Sequence, residues 1–165
     1  MVNEAVTDTG PVLHLNEINL LNIFDSFSAV FVPPEILNEI EKNKIKPFSK
    51  LKVVNLNSNS KNIVNILFNE KELDLGESEA ISLALQENIN LFLTDDLDAR
   101  KIAREYNLEV HGTLGIILRA FSDNRITKEL AINKIWELFE QSSLFLTLDL
   151  VNYAVKSINN FKKIK

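Results

Sequence analysis

The sequence predicts an α/β fold: a central, mainly parallel sheet of four to five strands with helices on both faces and further helices at the C-terminus. Three observations predict it. Short apolar or β-branched runs alternate with segments of helical spacing through the first two-thirds of the chain, as in sheets built from crossover helices. Leu91-Phe92-Leu93 is apolar at every position, as strands buried on both faces are. After Gly112 only helical patterns follow. A chain of 165 residues is long enough for a real core and reads as one domain over 1–165, with the sheet in about 1–120 and the C-terminal helices in about 121–165.

Taken in order, Ala5–Thr7 is a short strand running into Asp8. Thr9-Gly10 is a turn of small residues. Pro11 opens a helical pattern that reaches Phe27, apolar at Leu13, Leu20, Leu21 and Phe24, with Asn16 and Asn19 as points where it could divide. Ala29–Val32 is the second strand. Pro33 ends it, and Pro34 suits the first turn of a helix reaching about Asn43, with Ile36 and Ile40 on one stripe. Leu51–Leu56 reads as a third strand and Ser60–Asn69 as a helix on Ile63, Ile66 and Leu67. Leu75-Gly76 is a break. The clearest helix, Gly76–Asn88, follows, with Ala80, Ile81, Ala84 and Leu85 at helical spacing. Leu91–Leu93 is a strand ended by Asp95-Asp96, Leu97–Tyr106 a helix, and Glu109–His111 a last strand closed by Gly112. Helices at Thr113–Phe121, Thr127–Phe139 and about Leu148–Phe161 complete the chain, and Lys162–Lys165 is expected to fray.

Composition narrows the function. Hydrophobic residues at 45% and charged residues at 25% are those of a soluble globular protein. Cysteine is absent, which excludes disulfide frameworks and zinc–thiolate sites and fits the cytoplasm. Met1-Val2-Asn3-Glu4-Ala5 lacks the basic then apolar pattern of a signal peptide, and no apolar run is long enough to span a bilayer. A net charge of −5 argues against unspecific polyanion binding, unless the acids are gathered around cations.

The placement of the acids suggests that they are. Asp8 follows the first strand, Glu39 lies on the second helix, Glu77 opens the Gly76 helix, and Asp95-Asp96 follows the Leu91 strand. Right-handed crossovers return all four to one sheet edge. Ungoverned carboxylates in such a cluster would repel, so the grouping implies a hard divalent cation, Mg²⁺ or Mn²⁺. Each acid also has a plainer reading. Asp8 could cap its helix, Glu77 and Glu79 could favour a first turn, and Asp95, Asp96 and Asp98 could complement a helix dipole. Glu77 continues the buried stripe of Ala80, Ile81 and Ala84, whereas Glu79 projects with Ser82, Leu83 and Gln86; Glu77 is therefore preferred. Glu39 borders the Ile36 stripe, while Glu35 suits the dipole and Glu41 the surface. Between Asp95 and Asp96 the residues alone do not choose.

Five segments, TDTGPVLHL, VPPEILNEI, LDLGESEAISLA, LFLTDDLDARKIA and VHGTLGIILRA, cover most of residues 6–120. In this order and at this spacing the chain resembles the PIN-domain nucleases, and among them the VapC-like toxins of the DUF3368 group. The resemblance implies a three-layer α/β/α sandwich, an acidic pocket for Mg²⁺ or Mn²⁺, and endonuclease activity, usually on RNA. It carries the first family aspartate to Asp8, with the Thr9 hydroxyl beside it, and the second-helix glutamate to Glu39. The third acid, usually Asp in the wider family, falls on Glu77, or on Glu79 by a small shift. The fourth falls on Asp96 when matched from Thr94, or on Asp95 when the pair is matched as a unit. The chemistry implied is phosphodiester hydrolysis by a cation-activated water. Toxin-like relatives are held by a small antitoxin whose segment lies across the active-site groove. The helical stripes at Leu13–Phe24 and Lys61–Leu67 are candidate surfaces for that partner or for a homodimer, with core packing as the commoner explanation.

From Lys42 to Asn69 there are six lysines and no acid. Lys44, Lys46 and Lys50, with Arg100, Arg104 and the tail lysines, could track a phosphate backbone, or form a solvated face. His14 reads as a helix-face residue and His111 as a strand-end residue, neither needed as a general base. Asp8-Thr9-Gly10 is also the aspartic-protease signature, but that fold is all-β with two copies. A receiver domain would need an early acid pair and a late lysine, and a haloacid-dehalogenase phosphatase would need a second aspartate two residues after Asp8. An inactive nucleic-acid-binding module and a housekeeping RNA- or DNA-processing nuclease remain as alternatives to a toxin.

Overall fold

The computed structural model describes residues 4–161; the Lys162–Lys165 tail, with its expected fraying and phosphate-binding role, lies outside them. Five strands form one sheet in the order β3-β2-β1-β4-β5, and every neighbouring pair is parallel. They are β1 (Glu4–Thr7), β2 (Ala29–Val32), β3 (Leu51–Val53), β4 (Leu91–Leu93) and β5 (Glu109–His111). Between them run α1 (Thr9–Glu17), α2 (Pro34–Lys42), α3 (Ser58–Glu70), α4 (Leu75–Glu87) and α5 (Leu97–Glu105). The chain ends with α6 (Thr113–Ser122), α7 (Lys128–Gln141) and α8 (Leu148–Asn160).

This order positions the site. From β1 the chain moves outward one way to β2 and β3, then returns through α3 and α4 to place β4 on the other side of β1. Strand order therefore reverses between β1 and β4, and the crevice beyond their C-terminal ends is where ligands bind in open α/β sheets. Right-handed crossovers in opposite directions also put α1 and the α4–α5 pair on opposite faces, giving the three layers. Helices α6 and α7 pack with α1, and α4 packs on β1 and β4. The two central strands are buried on both faces, through Ala5, Val6, Leu91, Phe92 and Leu93. Burying a phenylalanine such as Phe92 removes enough apolar surface to contribute about 2 to 3 kcal/mol.

The local differences from the sequence reading have physical causes. The long first helix divides at the asparagines: α1 stops at Glu17, Asn19 takes a left-handed φ of 52°, and a 3-10 segment covers Leu21–Ser26. Leu15, Leu20, Ile23 and Phe24 are buried, so the Leu13–Phe24 stripe is core, not a partner surface. Likewise Val64 and Leu67 of α3 are buried, although Ile66 and Phe68 of that helix stay exposed. The third strand keeps only three of its six expected residues, because it is the sheet edge and Lys52 and Val53 face solvent. Leu75-Gly76 is no break: Asp74 caps α4 and both residues lie in its first turn. Among the described residues no helix is long and apolar enough to cross a membrane.

Candidate active site

The crevice between β1 and β4 is framed by the first turns of α1, α4 and α5, and each of those turns presents an acid. Pairing of Val6 with Phe92 and of Thr7 with Leu93 brings the two strands to the crevice at the same level. Asp8 continues that ladder through its own N–H, which donates to the Leu93 carbonyl at 2.9 Å. Its Oδ1 accepts the Thr9 N–H at 2.7 Å, capping α1, and its Oδ2 accepts the Thr94 hydroxyl at 3.1 Å from the end of β4. The first acid is thus held by both strands of the crevice.

Glu39 reaches the same region from α2. It accepts the hydroxyl of Thr9, so the residue after Asp8 orients a second carboxylate. Close approach of α2 to α4 makes this possible, and Gly76 permits the approach. A methyl there would stand 2.8 Å from Glu39 Oε1 and 2.8 Å from Ile36 Cδ1. Glu77 and Asp74 cap α4 reciprocally: Asp74 Oδ1 accepts the Glu77 N–H at 2.7 Å, and Glu77 Oε2 accepts the Asp74 N–H at 3.2 Å. Asp96 caps α5 through the Ala99 N–H at 2.8 Å, and its own N–H donates to the Thr94 hydroxyl at 3.2 Å.

The electrostatics tie these acids together. Burial pushes Asp8 up to about 7, with the charges of Asp74 and Glu39 adding to the rise and the hydrogen bonds from Thr9 and Thr94 opposing it. Burial also pushes Glu77 up to about 8, followed by the charges of Asp74, Asp96 and Asp8. Asp8 and Glu77 are each only 9% exposed. Two shielded carboxyls that hold their protons to near-neutral pH mark a pocket where negative charge is costly unless a cation offsets it.

A family model described as a PIN domain (DUF3368) matches residues 4–160, nearly the whole chain. The chain belongs to the PIN-domain family. Searches of curated proteins and of solved structures give no match. Membership implies a nuclease, usually a metal-dependent one. The donors in this PIN domain suit such a cation in kind, since carboxylate and hydroxyl oxygens are the hard ligands of Mg²⁺ and Mn²⁺ and the raised pKa values mark charge that a cation would relieve. As the side chains stand, no group of three or more His, Asp or Glu among the described residues is arranged to hold a metal ion.

The remaining sequence candidates are distributed unevenly around the PIN-domain crevice. Asp95 turns away from Asp96. Its Oδ1 accepts the Thr113 N–H at 2.7 Å, and its Oδ2 accepts the Thr113 hydroxyl at 2.5 Å and faces His14 Nδ1 at 2.7 Å. Glu79 points toward the start of α2. Burial raises its pKa, the backbone N–H of Glu35 opposes that rise, and the charge of Glu35 adds to it. Asp98 is exposed and lines a surface hollow with Glu70, Lys71 and Lys101. Lys44, Lys46 and Lys50 lie in the connection that leads into β3, hence at the N-terminal edge of the parallel sheet, opposite the acids. The reason is topological: α2 starts at the acid edge and carries the chain to the far one. Arg100 is different, because its guanidinium lies beside Gly112, where an added methyl would be 3.0 Å from its Nη1. Arg104, one turn further along α5, is exposed. Asp74 escaped the sequence reading, although Asp74-Leu75-Gly76-Glu77 has the spacing of a capping box and signalled it.

Proposed function

We propose that this PIN domain is a Mg²⁺- or Mn²⁺-dependent endoribonuclease of the VapC-like kind, the toxin of a toxin–antitoxin pair acting in the cytoplasm. The observation that carries the reading is the pair of buried carboxylates, Asp8 and Glu77, raised by burial and by neighbouring acids at the crevice where strand order reverses. Asp8, Glu39, Glu77 and Asp96 would hold the cation. Bound there, it supplies positive charge to a phosphodiester and lowers the pKa of the attacking water. The chain's own contribution is orientation. Thr94 fixes the Asp8 carboxylate, Thr9 fixes that of Glu39, and three helix N-termini direct the rest. Arg100 is the cation placed to meet a phosphate beside the acids.

A protein partner has a surface to use. An apolar groove lined by Leu97, Leu114, Phe145, Leu150 and Tyr153 also touches Asp95 and Arg100. Leu97, Phe145 and Tyr153 are 78%, 87% and 69% exposed, which is costly for a chain left alone in water. Such a groove supports an antitoxin segment entering toward the acids, with a homodimer as its other use. The test is cleavage of mixed RNA oligonucleotides by purified protein with Mn²⁺. Cleavage that is lost with a chelator and lost in Asp8→Asn supports the reading; intact RNA with Mn²⁺, or cleavage that survives Asp8→Asn, overturns it.

A further inference from the structure

Asp95 stands between two residues of the crevice, yet its carboxylate serves neither. Its side chain is 10% exposed and that of His14 12%. Three donors converge on it: the Thr113 N–H at 2.7 Å, the Thr113 hydroxyl at 2.5 Å and His14 Nδ1 at 2.7 Å. An ionised carboxylate only accepts, so it sets Nδ1 as the protonated nitrogen of His14. These donors come from α1, which Asp8 caps, and from the first residue of α6. Space is tight on the Gly112 side of the group. A methyl on Gly112 would come within 2.7 Å of Asp95 Oδ1 and 3.0 Å of Arg100 Nη1, and one on Gly10 would touch Asp95 at 3.7 Å.

The neighbours on either side use that fixed point. Thr94, completely buried, gives its hydroxyl to Asp8 and accepts the N–H of Asp96. Asp96 then caps α5. A three-residue segment therefore sends one side chain to Asp8, one to α1 and α6, and one to the start of α5.

We propose that Asp95, clamped by Thr113 and His14, is a positioning residue of the nuclease site: it locks segment 94–96 so that Thr94 orients Asp8 and Asp96 meets the acidic crevice, and it does not ligate the cation. The proposal rests on the nuclease reading above. Loss of such an orienting partner typically lowers metal-dependent activity by about 10- to 100-fold. The clamp must also behave as a unit, so its members must be non-additive.

The test compares Asp95→Asn, Thr113→Val, Thr113→Ser and the Asp95→Asn/Thr113→Val double variant. Two quantities are read on each: kcat for RNA cleavage with Mn²⁺, and the stoichiometry of Mn²⁺ binding by calorimetry without RNA. Expected is a fall in kcat of about tenfold or more for Asp95→Asn and for Thr113→Val alike, with the double variant no worse than the worse single one. Thr113→Ser, which keeps both donors, recovers most of the activity, and Mn²⁺ stoichiometry stays that of the unaltered protein in all four clamp variants. Loss of Mn²⁺ binding in Asp95→Asn but not in Thr113→Val would make Asp95 a ligand and overturn the clamp. Additive losses in the double variant would also overturn it. Unaltered protein that neither binds Mn²⁺ nor cleaves RNA is a separate result, failure of the nuclease reading itself.

Discussion

Asp8→Asn should stabilise the cation-free protein while abolishing its chemistry. The magnitude comes from the site. Burial and neighbouring acids raise Asp8 from 3.8 to about 7 in the folded state. A raised carboxyl pKa means that the folded state holds a proton the unfolded chain has already released. Stability is therefore unaffected below pH 3.8, declines as pH rises toward 7, and stays at its reduced level above that. At about 1.4 kcal/mol per unit, the ionised group costs about 4 kcal/mol at about pH 8.5 and about 2 kcal/mol at about pH 5. Asparagine keeps the shape and can still accept the Thr9 N–H, but it carries no charge.

The assay is thermal or urea unfolding of both proteins with a chelator at those two pH values. The variant should be the more stable protein at the higher pH, and its advantage should shrink by about 3 kcal/mol at the lower one. Adding Mn²⁺ should stabilise the unaltered protein and not the variant, because a ligand of the folded state adds RT ln(1 + [L]/Kd). If Asp8→Asn is the less stable protein at both pH values without cation, Asp8 is not a strained anion and the argument from burial fails.

Other outcomes follow from the same geometry. Gly76→Ala should cost about 1 to 3 kcal/mol in urea unfolding and lower RNA cleavage, because the methyl meets both Ile36 and Glu39 at 2.8 Å. Ser82→Ala should raise the unfolding free energy by up to about 1 kcal/mol, since its buried hydroxyl has no hydrogen-bond partner and alanine is the better helix former. Arg100→Ala should raise KM for RNA several-fold, whereas combined alanine substitution of Lys44, Lys46 and Lys50, at the far sheet edge, should change it by less than about twofold.

The fold was largely legible because its signals are local and redundant. Alternation of apolar runs with helical spacing placed all five strands, and Leu91-Phe92-Leu93 is buried throughout as its composition required. Boundaries were less legible where a side chain in a neighbouring turn decides them. Asn57 and Asp74 cap α3 and α4 and move their starts two residues and one residue upstream of the positions that apolar spacing suggested. Exposure decided β3: Leu51–Leu56 has strand composition throughout, but only Leu51, Lys52 and Val53 form the ladder with β2, with the Val54 N–H as a last bond to Val32. The location of charge was the least legible. Lys44, Lys46, Lys50 and Arg100 were grouped in sequence as one candidate phosphate-binding set, yet the length of α2 carries the lysines away from the acids while Arg100 stands beside Asp95.

For each acid, the sequence set capping a helix against holding a cation. The structure removes that opposition. Asp8 caps α1, Glu77 closes the capping box of α4, and Asp96 caps α5. Asp96 and Glu77 each spend one oxygen on the helix, through Oδ1 and Oε2, while Asp8 spends its second oxygen on Thr94 across the crevice. A helix N-terminus carries partial positive charge, so it attracts and aims a carboxylate while only partly neutralising it. Three helices therefore start at one sheet edge with an acid in each first turn or cap, and burial, followed by the neighbouring charges, raises the pKa values of Asp8 and Glu77. The caps that make these acids look structural when read alone also place them at the same sheet edge, so capping a helix does not exclude Asp8 from the cation-binding role proposed for it.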